Sequence, residues 1–504
     1  MVMKFGGNSL ATAERLEAVV KLIQQQRAAG QATPRAVVCS AMGQTTDALL
    51  QAAHVALERG HVDMDAVRLL YTNALQYFDE LPSNTAQEIT ALLDECKDLL
   101  QGVALLQELS TKTMDQLVSY GEQCTARIVA ACLNQKGVPA QAFDAWDVGI
   151  VTDSNFGRAK ILPKSQDNIR NTFAKIDPSI IAVVTGFIGR DAKGRITTLG
   201  RGGDLTATYI GAALAPECDE IQIYKDVDGI LTSDPRVVPH AIPVAELTYD
   251  EASEMAHFGA QVMHPAAMHP AAQSHVPVRV MNSLNPAAIG TMIGNEKQQT
   301  CPLVTAITYK RDVTLLDIQS TQALGAYGFL ANVFRLFEQH KLSVDVLASS
   351  EVSISLTFDK KQRESDIAAL VHDLSVIART AVKSDKSILT LIADVNRSSL
   401  VLATVFAVFA QRGIKVKMMS QGASKVNISF ILNSYDLDKA ILALHECFFE
   451  GSDTAASRRL KQHERDENEF MTHMESSNDI SEENDTNQSR LFGREEETPS
   501  VVAA

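Results

Sequence analysis

No uncharged apolar run of about 18 residues occurs anywhere in the chain, so nothing reads as a bilayer-spanning helix. There is no basic stripe either, and the formal net charge is −15. Nucleic acid and anionic membrane are therefore not expected as partners, since both reward clustered Lys and Arg. The seven cysteines (Cys39, Cys96, Cys124, Cys132, Cys218, Cys301 and Cys447) form no C-x-x-C pair. That scatter fits unpaired core thiols in a reducing compartment better than a disulfide framework or a zinc site. The G-x-x-x-x-G-K-[ST] phosphate loop is missing, and no Ser–His–Asp or Cys–His constellation stands out. The opening MVMKFGGNSL has no charged-then-apolar signal pattern, so no secretion is expected.

What is present is an ordinary globular composition, 45% hydrophobic and 21% charged over 504 residues, long enough for two or three domains. Residues 1–295 alternate apolar runs such as AVVCS (36–40), IIAVVTGFIG (180–189) and EIQIYKDV (220–227) with helical stretches. Strand and helix in turn predict an α/β domain with a largely parallel sheet. A helical insert at about 50–118 interrupts it. From 303 onward a repeat appears: Val333, Phe334 and Val344 recur 72 residues later as Val405, Phe406 and Val416. Two small α+β modules in tandem follow, 303–380 and 385–449, each read as strand, helix, strand, strand. The tail, 451–504, has 13 Asp/Glu against 6 Lys/Arg and few large apolar residues. It cannot offset its ordering entropy and reads as disordered.

Several loops carry chemistry. MKFGGNS delivers Lys4 and two glycines, with Asn8 and Ser9 as candidate helix caps. SAMGQTTD (40–47) is a second strand end. SYGEQCTA (119–126) places Glu122 at a helix start, and LGRGGD supplies Arg201 and Asp204 before another helix. YKDVDGILTSDPR (224–236) adds Lys225, Asp226, Asp228 and Arg236; its glycine comes two positions too early for an EF-hand. These loops share one location, strand ends facing helix starts, where open α/β sheets bind ligands. A free amino acid needs a cation for its carboxylate and an acid for its ammonium, and Arg201 with Glu122 fits that need. Lys4, Lys225 and Arg236, with glycine amides, suit a polyphosphate. His264, His269 and His275 are spaced for packing rather than for a metal, and no metal-ligand set is assigned.

The ordered motifs KFGG-x-S, SAMG-x-TT, GE, LGRGG with its Asp, KDVDGI-T-DPR and FGA-x-V-x-HP resemble those of the aspartate kinases, within the amino-acid kinase superfamily. The likeness extends to about residue 449 through GFLANVF, SVDVLASSEVSISL and SQGASKVNIS, which resemble ACT domains. It is closest to the single-function, lysine-sensitive branch. The resemblance implies an amino-acid kinase fold plus two ACT-like domains. The implied reaction takes ATP, with Mg²⁺, and L-aspartate to 4-phospho-L-aspartate and ADP, opening the route to lysine, threonine and methionine. A side-chain carboxylate of pKa about 4 is already ionised and needs no general base.

The same resemblance assigns Lys4 and Asp204 to catalysis, and Thr46, Glu122, Arg201, Gly202 and Gly203 to aspartate. Lys4, Gly6, Gly7, Ser40, Lys225, Asp226, Leu231, Arg236 and Gln261 would meet ATP. A feedback site for lysine would use Phe329, Leu330, Val344, Asp345, Ser350 and Glu351, the two acids suiting a cationic ligand. A homodimer or larger assembly through the ACT domains is implied, in the cytoplasm or, in a photosynthetic eukaryote, the plastid stroma. Three positions depart from the family. Asp204 follows Gly203 without the usual serine, which is expected to shift loop groups on the order of an ångström. Asn8 replaces Thr or Ser, and Gln261 replaces a lysine. Two alternatives remain: a kinase for another acidic amino acid, and a non-catalytic amino-acid sensor.

Overall fold

The computed structural model describes residues 1–28, 33–75, 82–200, 202–260, 263–297, 302–320, 328–359, 363–421 and 426–451. The acidic tail expected beyond 451 lies outside them.

Strand β1 (Val2–Phe5) passes through a 3-10 turn, Gly7–Leu10, into α1 (Ala13–Ala28), and β2 (Ala36–Cys39) follows. A helical block comes next: α2 (Thr45–Arg59), α3 (Asp65–Leu75), α4 (Ser83–Leu106) and α5 (Thr111–Gln135). The insert expected at about 50–118 is therefore wider at both ends. Then come β3 (Ala140–Phe143), β4 (Val151–Thr152), α6 (Ser165–Phe173), β5 (Ile181–Thr185), β6 (Ile188–Asp191), β7 (Ile196–Thr198) and α7 (Gly202–Ala213). The chain continues with β8 (Ile221–Lys225), β9 (Glu246–Thr248), α8 (Tyr249–His257), α9 (Pro265–Gln273), β10 (Val278–Asn282) and β11 (Thr291–Gly294).

These strands build a sheet in the order β3-β5-β2-β1-β8-β10-β11-β9, with β4-β6-β7 as a smaller sheet. In the larger one every pairing is parallel except β10 with β11. The central strands AVVC, IAVVT and IQIYK are apolar and largely β-branched because helices cover both faces. Helices α1 to α5 share one core cluster with Met3, Phe5, Val37 and Cys39. Helices α6 to α9 share the other with Val2, Val38 and Val280.

The remaining chain runs β12 (Val304–Ser320), α10 (Phe329–Gln339), β13 (Val346–Ser349), β14 (Ser353–Asp359), α11 (Glu364–Leu374), β15 (Ala378–Ala393), α12 (Ser398–Arg412), β16 (Met418–Ser420), β17 (Asn427–Asn433) and α13 (Leu437–Phe449). Its sheet has the order β13-β14-β12-β15-β17-β16. Each repeat thus carries one helix more than the sequence pattern suggested. The tandem division is also corrected. Val304–Lys310 pairs with the second half of β15, beside β17, whereas Val313–Ser320 pairs with β14 and the first half of β15. One repeat is nested in the other, and a shift in register between Lys310 and Val313 marks the join. Local pattern could not show this, because strand order depends on pairing between distant segments.

By contact density the chain forms two units. Among the described residues, one comprises those within 1–396 and 416–437; the other comprises 397–415 and 438–451. In the second, Arg412 pairs with Glu446 at 3.3 Å. Among the described residues no helix is long and apolar enough to cross a membrane.

Candidate active site

Alternation along β1 sends Met3 and Phe5 into one core and Val2 into the other. Lys4 shares the face of Val2, toward α7, which supplies Ala207, Ile210 and Ala213 to that core. Its Nζ lies 2.6 Å from Asp204 Oδ1, in the first turn of α7, and the lysine is only 7% exposed. Burial by itself would raise the Asp204 carboxyl. The Lys4 and Lys225 ammoniums outweigh burial and hold it below the ordinary carboxylate value. Lys225, the last residue of β8, is shifted down, first by burial and further by Lys4, although Asp204 and Asp226 oppose this.

The loop lacking the family's serine was expected to misplace these groups. Even so, Asp204 reaches Lys4, because α7 begins at Gly202 itself and brings the aspartate into its first turn. Gly203 sits where a Cβ would stand 3.2 Å from Ser40 Oγ and 3.4 Å from Lys4 Cε, so the ends of β1, β2 and α7 crowd together. Inserting a serine between Gly203 and Asp204 is therefore expected not to raise turnover. A gain of about tenfold in kcat would show that the short loop misplaces its groups.

Glu122 is not at a helix start, as the sequence suggested, but in the middle of the long helix α5. Gly121 looked like a helix boundary. It is instead a contact point: a Cβ there would come within 2.9 Å of the Ala41 side chain. The missing side chain lets α5 lie against the loop after β2, and Glu122 Oε1 accepts the Ala41 N–H at 3.2 Å. Its Oε2 has no hydrogen-bond partner among the described residues. Burial pushes the carboxyl up to about 8, with the Ala41 N–H pulling against it.

A cavity of about 360 Å³ receives Lys4, Gly6, Gly7, Lys225 and Asp226 from the β1 and β8 ends. Ser40, Thr46 and Glu122 line the same cavity from the β2–α2 side. Gly7 is needed at this point, since a Cβ there would meet the Ala41 carbonyl at 2.5 Å. Asn8 and Ser9 do not cap α1 as expected; Thr12 Oγ1 accepts the Arg15 N–H instead. Asn8 donates to Asp226 Oδ2 at 3.4 Å, and the Ser9 hydroxyl accepts from Ser283 at 2.8 Å.

Leu231 and Arg236 line a second cavity, of about 330 Å³, on the side of Val227. The expectation that Arg236 joins Lys4 and Lys225 around a polyphosphate is corrected. Its guanidinium is exposed and grips Asp234, with Nη2 at 2.6 Å and Nε at 3.0 Å. Arg236 in turn holds the Asp234 carboxyl down to about 2. Arg201 and Gln261 lie outside the described residues. The sequence missed Asn282 and Asn285, which donate to Asp228 and fasten the β8 loop. It also missed Ile307, Thr308 and Tyr309 of β12, which line the second cavity. No local motif announces residues that arrive from a different sheet.

In the second sheet, Phe329 begins α10 and shares a core cluster with Val344. Leu330 and Glu351 are exposed, and Ser350 closes the β13–β14 hairpin by accepting from the Ser353 N–H and sharing a hydrogen bond with the Ser353 hydroxyl. Asp345 is not free to await a cationic ligand, as its charge suggested: Lys310 Nζ already lies 2.7 Å from Oδ2. His264 accepts the Ala266 N–H at the start of α9, and His275 contacts Asn295.

Comparison with known proteins agrees with this architecture. Residues 1–282 match the amino acid kinase family, and 393–448 match the ACT domain. Chloroplastic aspartokinase 1 of Arabidopsis thaliana is 44% identical over 470 residues, covering 90% of this chain and 80% of that protein. Escherichia coli aspartokinase III, solved with aspartate and ADP in its R-state, superposes with a TM-score of 0.72 at 32% identity, covering 88% and 98% of the two chains. Its T-state, solved with lysine and aspartate, gives 0.71 at 34% identity, covering 89% and 99%. With the family model matching more than half of the chain and an aspartokinase 44% identical over most of it, the chain belongs to the aspartate kinases of the amino acid kinase family.

Proposed function

We propose that the chain transfers the terminal phosphoryl group of ATP to the side-chain carboxylate of L-aspartate, giving 4-phospho-L-aspartate and ADP. This is the first step toward lysine, threonine and methionine. The observation that carries the reading is the first cavity, where a nearly buried lysine and a buried, half-unpaired glutamate face one space. The E. coli complex with aspartate and ADP supports it.

An aspartate carboxylate oxygen forms the new P–O bond, the bridging P–O bond to the β-phosphate breaks, and ADP leaves with that electron pair. No proton moves, so the protein supplies position and charge. Lys4 neutralises charge on the transferred group, and Asp204 fixes its ammonium. Lys225 and the amides of Gly6 and Gly7 hold phosphate oxygens, with Ser40 beside them. Glu122 takes the substrate ammonium on Oε2, Thr46 lies alongside, and Arg201 takes the α-carboxylate, with Gly202 and Gly203 leaving room. Leu231, Arg236 and Gln261 belong to the nucleotide end. Asp226, on the cavity wall beside Lys225, would hold the Mg²⁺ that accompanies ATP, which would offset negative charge on the phosphates. A hydroxamate assay tests the reading: acyl phosphate accumulates with ATP and aspartate together, and its absence refutes the reaction.

The catalytic part is assigned to 1–295 and the regulatory pair to 303–449, with lysine as feedback inhibitor and homodimerisation through the ACT-like modules. The lysine-bound E. coli structure supports the choice of effector. In this chain the effector ammonium must compete with Lys310 for Asp345. Millimolar lysine is expected to inhibit, and Asp345→Asn to raise the half-inhibitory concentration about tenfold, as for a lost charge-assisted bond. No response to lysine would reject the assignment. Residence in the cytoplasm, or in a plastid stroma as for the chloroplastic relative, completes the reading.

A further inference from the structure

Two residues of α5 are poorly suited to the middle of a long helix, and both face the loop after β2. Gly121 costs backbone entropy there, and Thr125 is β-branched, with a hydroxyl that competes with the helix for hydrogen bonds. The close approach of Ala41 accounts for Gly121. Thr125 is fully buried, so contact with solvent does not account for its hydroxyl. That hydroxyl is used in both directions. It donates to the Gly121 carbonyl at 2.8 Å and accepts the Met42 N–H at 3.1 Å.

Beside that bond, Glu122 Oε1 accepts the Ala41 N–H at 3.2 Å. Glu122 and Thr125 stand three apart on one side of α5, and they take the successive amides of residues 41 and 42. Among the described residues these two hydrogen bonds join the backbone of the loop to α5. Met42 is buried, so its N–H has no water to turn to if the hydroxyl is taken away. The phosphate side of the same loop has anchors of its own. The Ser40 N–H donates to the Phe5 carbonyl at 3.3 Å, and the Gly43 N–H to the Gly7 carbonyl at 2.9 Å.

We propose that Thr125 is a positioning residue for the aspartate site: by holding Met42, it keeps the Ala41 N–H on Glu122 Oε1 and leaves Oε2 for the substrate ammonium. This rests on the phosphoryl-transfer reading above, in which Glu122 meets that ammonium. Thr125 does not line the cavity, so the aspartate site extends one layer behind its wall. A threonine in mid-helix is then explained by the loop that it fixes rather than by the helix that it weakens.

Steady-state kinetics of the full chain tests the inference. Thr125→Val keeps the shape of the side chain and removes the hydroxyl. KM for aspartate is expected to rise about tenfold, the order for one buried hydrogen bond left unmade. KM for ATP should stay within about twofold, because Phe5 and Gly7 still hold the phosphate side. Thr125→Ser keeps the hydroxyl and should leave KM for aspartate within about twofold of the unmodified chain. In a Glu122→Gln background the valine should add less than about twofold, since it acts through that carboxylate. If the valine chain does not fold, Thr125→Ala, with the residue best suited to a helix, carries the same expectations. An unaltered KM for aspartate overturns the inference, whatever the melting temperature. So does a joint rise of both KM values, which marks general loosening, and so does an undiminished effect in the Glu122→Gln background. Failure of serine to restore KM overturns it as well, because the hydroxyl is then not the group that acts. An unmodified chain that makes no acyl phosphate from ATP and aspartate defeats the phosphoryl-transfer reading itself, a result distinct from all of these.

Discussion

Lys4→Ala lowers kcat by about a hundredfold or more, the order expected when a preorganised charge is removed from a phosphoryl-transfer site. The reason lies in the reaction. Both reactants are anions, and the nucleophile needs no deprotonation, so charge and position carry most of the rate enhancement. Lys4 is suited to this because its position is already fixed in the folded chain. The residue is buried, its ammonium is 2.6 Å from Asp204, and its strand is central in the sheet. Little reorganisation remains to be done when substrates arrive. Lys4→Arg is expected to recover little, since a planar fork cannot take the place of a compact ammonium beneath Gly203. Steady-state kinetics at saturating ATP and aspartate decide the matter: a fall in kcat of less than about threefold removes Lys4 from the mechanism.

Glu122→Gln has the second large effect, and it divides into a binding loss and a stability gain. Aspartate's ammonium would lose its only carboxylate partner in a buried site, so KM for aspartate should rise about thirtyfold or more. KM for ATP should change little. Stability moves the other way. Burial holds the folded-state carboxyl near 8, well above its value in the unfolded chain. The folded protein therefore keeps a proton that the unfolded chain has released, and stability from this group is complete at low pH. It is lost as pH rises toward about 8, by an amount on the order of several kcal/mol at most. Glutamine is neutral throughout, so the variant should melt higher than the parent at pH 8 and alike at pH 5.

Substrate binding gives a third reading of the same group. At pH 7 the empty site holds Glu122 mostly protonated, and an incoming ammonium favours the ionised form. Aspartate binding should then release close to one proton, detected as a dependence of the calorimetric heat on buffer ionisation enthalpy. Glu122→Gln should abolish that dependence. A KM for aspartate within threefold of the parent would place the ammonium elsewhere.

The parallel sheet, the position of Lys4 at a strand end and the start of α7 were all legible from short segments. Each is a local property: β-branched apolar runs mark buried strands, and glycines ahead of a helical run mark a ligand-facing turn. Glu122 was visible as a residue but not as a place. Gly121 has the look of a terminus, and only its close packing against Ala41 shows why a glycine sits inside a helix. Arg236 was misplaced for a similar reason: charge in a motif does not reveal that Asp234, two residues earlier, already holds it.

By itself the sequence determined the fold class, the repeat and the set of strand-end loops from which a phosphate and amino-acid site is built, because hydrophobic period and turn chemistry act over a few residues. Only the tertiary structure decided that the repeats are nested, that Lys310 neutralises Asp345, and that Thr308 enters a cavity of the other sheet. Those outcomes depend on which distant segments pair and pack. That choice is made by the summed burial and hydrogen bonding of the whole chain, which no short window of residues contains.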